Sequence, residues 1–324
     1  MTDNLTPAMR YAVIFPGQGS QSIGMLTDWA QTYPQVMQTF ERASAALGFD
    51  LWAICQGTHP EFNLDNTAYT QPALLTASMA IWQVLTDELA IAPAYLAGHS
   101  LGEYSALCAA GVLTLEDAVR LVHHRGQYMS EAVQGVSTKM AALLGLDDEQ
   151  VSILCEQIRE QNSDAIVSPA NFNAVGQVVI AGNSVGVDRV IEQVAVLGKK
   201  AVPLNVSVPS HCQLMQPASE KLAQQLAKVS FTAPKIPVIQ NRHAQVEADI
   251  KHIKQALIEQ LSMPVLWSKT EEKLAAKHIT LQIECGSGNV LTNLAKRQSQ
   301  KITTLATDKV SKLADIKQAL PTTV

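Results

Sequence analysis

The sequence predicts an α/β fold, a mostly parallel sheet covered on both faces and interrupted by a compact βαββαβ module. Three observations predict it. Short apolar runs alternate with longer stretches of helical spacing, the pattern of a parallel sheet with crossover helices. The first runs, Tyr11–Phe15 and Ala94–Ala97, are each followed at once by a glycine-rich turn. Between about Lys139 and Asn205 the pattern changes to a compact series in the order βαββαβ.

Taken in order, Tyr11–Phe15 (YAVIF) reads as a buried strand ending at Pro16. Pro34–Leu47 and Thr70–Leu89 carry helical spacing. Ala94–Ala97 is the second strand, followed by Gly98-His99-Ser100-Leu101-Gly102 and a helix to Ala110. Thr114 caps a helix with Asp117 in its first turn, running towards Gly135. Met140–Leu146, Ala165–Phe172, Gln177–Ala181 and Ala201–Val206 are the strands of the module. Its helices are Asp147–Gln161 and the stretch from Asn183 or Ser184 to Leu197. That order is ferredoxin-like. The expected domains are therefore a discontinuous large α/β domain, 1–136 and 207–324, and an inserted small domain, 137–206. Helices near 213–229, 250–261 and 265–277 follow, with strands at Ile236–Gln240, Thr280–Glu284 and Thr303–Ala306. A helix follows Gly286-Ser287-Gly288, another lies near the C-terminus, and Pro321–Val324 is expected to fray.

Composition narrows the function classes. With 324 residues, 47% hydrophobic and 16% charged, the chain can bury a sizeable core. A net charge of −5 argues against nucleic acid or an anionic membrane as the main partner. Five widely spaced cysteines without a CxxC fit free thiols in a reducing compartment, not a disulfide framework or zinc site. Met1–Tyr11 is polar, without the apolar core of a signal peptide, and no run approaches the ~20 apolar residues of a membrane span. A cytoplasmic protein is expected.

Gly98-His99-Ser100-Leu101-Gly102 is a Gly-x-Ser-x-Gly between a strand and a helix, the arrangement of an α/β-hydrolase-like domain. So tight an elbow strains the serine backbone and exposes its hydroxyl at the helix N-terminus, where free amides favour developing negative charge. A serine needs a base within reach. Of eight histidines, His99 adjoins the serine and is expected to point away and pack, while His123, His124, His252 and His278 fall on polar helical stretches with solvated faces. His211 differs, because an extended run (VSVPSH) brings it to a turn before a helix, and it ranks first. Phe15-Pro16-Gly17-Gln18-Gly19-Ser20-Gln21 lacks the third glycine of a dinucleotide fingerprint and the Gly-Lys-Ser/Thr of a P-loop. Its amides could face an oxyanion, or it could be a tight turn without a ligand.

FPGQGSQ, QPALLTAS (Gln71–Ser78), GHSLGEYSAL, VSVPSH and PVLW, in this order, resemble the malonyl-CoA:acyl carrier protein transacylases of bacterial fatty-acid synthesis, from about residue 11 to 295. The resemblance implies Ser100 as the acylated nucleophile and His211 as its base. It implies that the main-chain carbonyl of Gln260 orients His211, and that the Gln18 and Leu101 amides form an oxyanion hole. It implies Arg125 as the grip on the malonyl carboxylate, Gln71 as a pocket glutamine, and Asn171 and Asn173 on a polar loop of the small domain. A guanidinium offers a carboxylate two parallel hydrogen bonds that no acetyl group can use. Read by itself, Arg125 is a surface arginine paired with Glu116 or Glu131. The implied reaction is ping-pong, from coenzyme A thioester to an acidic acyl carrier protein, with Lys199, Lys200, Lys296 and Arg297 as docking candidates. No cofactor or metal is expected, and a monomer is. A serine hydrolase, an acyltransferase of a polyketide or polyunsaturated fatty-acid pathway, and a non-catalytic docking protein are the alternatives. The chain departs from the family at Gly286-Ser287-Gly288 and at Ala174-Val175-Gly176, where Gly-Pro-Gly and Ser-Pro-Gly are usual. Both departures are in turns and put loop rigidity at issue.

Overall fold

The computed structural model describes residues 10–321. The expected polar N-terminus before Arg10 and the tail beyond Pro321 lie outside the described residues. The chain runs through β1 (Arg10–Phe15), α1 (Thr27–Thr32), α2 (Pro34–Leu47), α3 (Leu51–Gln56), α4 (Thr67–Leu89), β2 (Tyr95–Gly98), α5 (Gly102–Ala109) and α6 (Leu115–Ala132). It then forms β3 (Thr138–Leu144), α7 (Asp148–Gln161), β4 (Val167–Ala174), β5 (Gln177–Asn183), α8 (Ser184–Val196) and β6 (Lys200–Pro203). The last part comprises α9 (Gln216–Lys228), β7 (Val238–Gln240), β8 (Gln245–Val246), α10 (Ile250–Gln260), α11 (Trp267–Ala276), β9 (Ile279–Glu284), α12 (Val290–Ala295), β10 (Thr303–Ala306) and α13 (Leu313–Ala319).

The large sheet has the order β10-β9-β1-β2-β7-β8, parallel throughout except for the β7–β8 edge pair. β1 lies inside it, so YAVIF is covered on both faces, as a continuous apolar run requires. Tyr11, Val13 and Phe15 face the core under α2, α4 and α6, while Ala12 and Ile14 face Trp267, Leu274 and Leu291. The second sheet, β4-β5-β3-β6, is antiparallel throughout. One face packs on α7 and α8 through Leu143, Val151, Val178, Ile180 and Val190, and the other, with Met140 and Val179, turns towards a cleft.

Element ends differ from the sequence reading where tertiary contacts intervene. β6 stops at Pro203, not Val206, because residues 204–208 leave the sheet to line the cleft. α11 starts at Trp267, not Val265, because Val265 pairs with β4, its amide donating to Ala170 and its carbonyl accepting from Phe172. α4 starts one turn early, with the Asn66 side chain capping the Ala68 amide. Pro72 inside α4 cannot donate to Ala68, and His123 Nδ1 takes that carbonyl instead at 2.7 Å. His123 is therefore half-buried and bonded, not solvated, and His278 lies past the end of α11 in a left-handed conformation. The short α1, α3 and β8 were not legible in the spacing.

Candidate active site

The turn from β2 into α5 puts Ser100 at φ 53°, the strained conformation the elbow predicts. Its flanking glycines are obligatory: a Cβ on Gly98 would lie 1.9 Å from the Gly102 backbone, and one on Gly102 would lie 2.1 Å from Phe15 O. His211 Nε2 stands 2.7 Å from Ser100 Oγ. Its Nδ1 is 2.6 Å from the main-chain carbonyl of Gln260, and its amide donates to Leu261 O. A carbonyl only accepts, so Nδ1 carries the proton and Nε2 presents its lone pair to the serine. Burial, with Arg125 nearby, pushes the His211 pKa down to about 3 and keeps the ring neutral.

Gly17 packs against the elbow so closely that a Cβ there would be 2.5 Å from His99 O. This brings Gln18 to the cleft beside Ser100. Among the described residues, neither the Gln18 nor the Leu101 amide donates to a protein acceptor, whereas the Ser100 amide is taken by Asn241 Oδ1 at 2.6 Å. Ser287, at the family's usual proline position, donates from Oγ to Ser20 O at 2.8 Å and so ties its turn to the glycine-rich loop.

Behind the nucleophile lies a buried polar cluster. Arg125 is fully buried on α6 and is not the surface arginine of its isolated reading. Glu116 pairs instead with Arg42 and Glu131 with Lys221. Arg125 donates from Nη1 to Gln71 Oε1 at 2.6 Å and from Nη2 to Gln260 Oε1 at 3.1 Å, and Nη2 also donates to Ser100 Oγ at 3.4 Å. Gln71 is held in turn by donating to Thr67 Oγ1, which donates to Gln18 Oε1. α6 approaches α4 this closely because Gly126 meets Ala68, where a Cβ would be 2.6 Å from the Ala68 Cα.

Ser100, His211, Gln18, Asn171 and Asn173 line one cleft of about 520 Å³, walled on the small-sheet side by Met140, Ala142 and Val179. Asn171 and Asn173 lie on strand β4, not on a loop, because the strand extends to Ala174 before turning. Asn173 Oδ1 is 2.7 Å from His99 Nε2, and its carbonyl accepts from Gln298. His99, expected only to pack, lines the same cleft as Ser100, bonds to β4 and packs edge-on to Trp267.

Sequence reasoning missed three contributors. Asn241, just after β7, accepts from Ser100 N and donates to Gly98 O, clamping both sides of the elbow. Gln260 acts through its side chain as well as its carbonyl. Glu103, on α5, is buried and accepts from Gln260 Nε2 at 2.7 Å and Asn241 N at 3.1 Å. A carboxylate just past a nucleophile elbow, in an otherwise apolar helix, is the signal that could have found it.

A strained serine with a neutral imidazole at its hydroxyl, free amides beside it and a buried cation behind it is equipped for covalent acyl transfer. Residues 12–315 match the acyl transferase domain family, and the chain belongs to that family. Among curated relatives it is 49% identical to the malonyl CoA-acyl carrier protein transacylase of Salmonella typhimurium, over 94% of this chain and 98% of that one. The enzyme of the same name from Haemophilus influenzae is 46% identical over 89% and 92%. The crystal structure of FabD from Acinetobacter baumannii superposes with a TM-score of 0.92 at 48% identity, covering 96% of this chain and 98% of that one. A malonyl-transacylase in complex with AntF, a type II PKS acyl-carrier protein, superposes at 0.91 with 44% identity, covering 95% and 99%.

Proposed function

We propose that this protein transfers a malonyl group from malonyl-CoA to the phosphopantetheine thiol of an acyl carrier protein, supplying fatty acid synthesis. The observation that carries the reading is Arg125, a buried guanidinium aimed at the hydroxyl of a serine already paired with a neutral histidine. Ser100 Oγ gives its proton to His211 Nε2 and attacks the thioester carbonyl. The oxyanion rests on the Gln18 and Leu101 amides. The C–S bond breaks, coenzyme A leaves with the proton from His211, and malonyl-Ser100 remains. The carrier thiol then gives its proton to His211 and attacks the ester, and Ser100 Oγ recovers that proton as it departs. The Gln260 carbonyl holds the required tautomer throughout. Arg125, with Gln71 beside it, binds the malonyl carboxylate, and a monoacyl group leaves the cation without a partner. Asn171 and Asn173 line the path to the ester.

The domain reading is part of the same proposal. The large unit is an α/β-hydrolase-like domain of residues 1–136 and 207–324, and 137–206 is an inserted ferredoxin-like domain, which the strand order β4-β5-β3-β6 supports. Lys296 and Arg297, exposed at the end of cleft-lining α12, and Lys199 and Lys200, exposed at β6, are the docking candidates for the acidic carrier. We take the enzyme to work as a cytoplasmic monomer without a cofactor. Among the described residues no helix is long and apolar enough to cross a membrane. A polyketide pathway is the second reading, favoured only by the AntF complex of a structural relative.

Intact-protein mass spectrometry after brief mixing with malonyl-CoA or acetyl-CoA tests the proposal. Wild type should carry a malonyl adduct that Ser100→Ala lacks and that Arg125→Ala loses or exchanges for acetyl. Release of free coenzyme A without an adduct would instead indicate a hydrolase, and neither adduct nor turnover a non-catalytic protein.

A further inference from the structure

Arg125 is fully buried, and its hydrogen-bond partners, Gln71, Gln260 and Ser100, are all neutral. A guanidinium cannot shed its charge, so a counter-charge must lie close. Glu103 is the buried carboxylate of this cluster, and the link between the two is a single side chain. Gln260 accepts from Arg125 through Oε1 and donates to Glu103 through Nε2. The amide dipole thus points its negative end at the cation and its positive end at the carboxylate. Among the described residues Glu103 Oε1 has no hydrogen-bond partner, although it is buried, so this acid is incompletely stabilised as an anion.

We infer that Glu103 is a specificity-setting positioning residue, the counter-charge of Arg125 in the free enzyme, and that it takes up a proton when a carboxylate-bearing acyl group binds there. The inference rests on the malonyl-transfer reading of the site. The electrostatic reason is a count. Before substrate binds, one buried cation faces one buried anion. A substrate carboxylate adds a second anion to the same cation in a low-dielectric pocket, where two like charges cannot both be sustained. The incoming carboxylate has direct N–H donors on Arg125, whereas Glu103 holds the cation only through Gln260, so Glu103 is the one to be neutralised. Burial already pushes its pKa up to about 7, against the hydrogen bonds from Asn241 and Gln260 and the charge of Arg125. The other titratable groups about the cluster are Tyr104 beside it on α5, His99 on the elbow and His211 ahead of α9. Burial pushes Tyr104 up and both histidines down, so all three are uncharged near neutral pH. An acetyl group brings no charge and should cause no uptake.

The test titrates malonyl-CoA and acetyl-CoA into the Ser100→Ala chain at pH 7.5 by calorimetry, in two buffers of different ionisation enthalpy. Because about three-quarters of free chains carry an ionised Glu103 at pH 7.5, malonyl-CoA should bind with uptake of roughly half to three-quarters of a proton, and acetyl-CoA with none. Adding Glu103→Gln, which keeps an acceptor for Asn241 and Gln260, should abolish the uptake. In the chain with Ser100 intact, the preference for malonyl over acetyl in kcat/KM should decline severalfold from pH 6.5 to 8.5. With Glu103→Gln that preference should stay level. Malonyl-CoA binding without uptake overturns the inference while leaving malonyl transfer standing, and this reading does not depend on the Glu103 variant folding. Uptake that survives Glu103→Gln assigns the proton elsewhere and also overturns it. Equal binding of the two thioesters, with no malonyl adduct on Ser100, overturns both the inference and the function beneath it.

Discussion

Glu271 permits a prediction about stability that is independent of the active site. It lies on α11, 1% exposed, against the face of the sheet remote from α4 and α6. Both its oxygens accept from Gln282 Nε2 at 3.1 Å, and among the described residues no cation is bonded to them. Burial raises its pKa from 4.5 to about 7, opposed by the Gln282 bond. The folded chain therefore holds this proton more tightly than the unfolded one. Its stabilising effect is complete below pH 4.5 and is lost as pH rises to about 7. The shift corresponds to about 3 kcal/mol, an order-of-magnitude figure. Glu271→Gln keeps an acceptor for Gln282 and has no charge to bury. The variant should match wild type near pH 5 and exceed it by about 2–3 kcal/mol at pH 8. Urea unfolding at both pH values measures this. Glu103 titrates over the same range but is present in both chains and cancels in the difference. An equal difference at the two pH values, or a variant less stable at pH 8, would refute the account of Glu271 as a buried, unpaired acid.

Three further outcomes follow from the site. Asn241→Ala leaves Ser100 N and Gly98 O without their partner, so stability should fall by about 2–4 kcal/mol and acylation by roughly tenfold to a hundredfold. Chemical denaturation and single-turnover acylation would read the two effects separately. Gly126→Ala forces α6 away from Ala68 and displaces Arg125, so the malonyl preference over acetyl should drop more than the acetyl rate does. Competition between the two thioesters measures that ratio. Because His211 is neutral down to about pH 3, acylation by acetyl-CoA should be flat from pH 5 to 7. An acid limb centred near pH 6.5 would show an ordinary, solvated imidazole.

The parts of the site legible in the sequence are those whose signal is local. The elbow announces Ser100 because glycines and a strand-to-helix change surround it, and the end of an extended run marks His211. Family order then assigns Arg125 against its isolated reading, although its spacing from Ala118, Val122 and Met129 already places it on the apolar stripe of α6. Asn241 and Glu103 stay hidden because their partners are distant in the chain: Asn241 meets Ser100 across 141 positions and Glu103 across 138. Element ends fail similarly. Pro203 and Val265 are decided by the cleft and by β4, which are products of folding and absent from any window of residues.

The orientation of His211 by a main-chain carbonyl sets the site's mutational terrain. Every residue has that carbonyl, so no amino-acid substitution at position 260 can delete the acceptor. Substitutions there reach only the amide side chain, which serves Arg125 and Glu103. In the proposed mechanism, base positioning and acyl choice are thus read from the same residue through chemically separate groups, and drift can retune the second while the first persists. The converse also holds. Installing a carboxylate in place of the carbonyl, as a hydrolase triad would have it, requires the end of α10 to be rebuilt, so that neighbouring chemistry is several steps away.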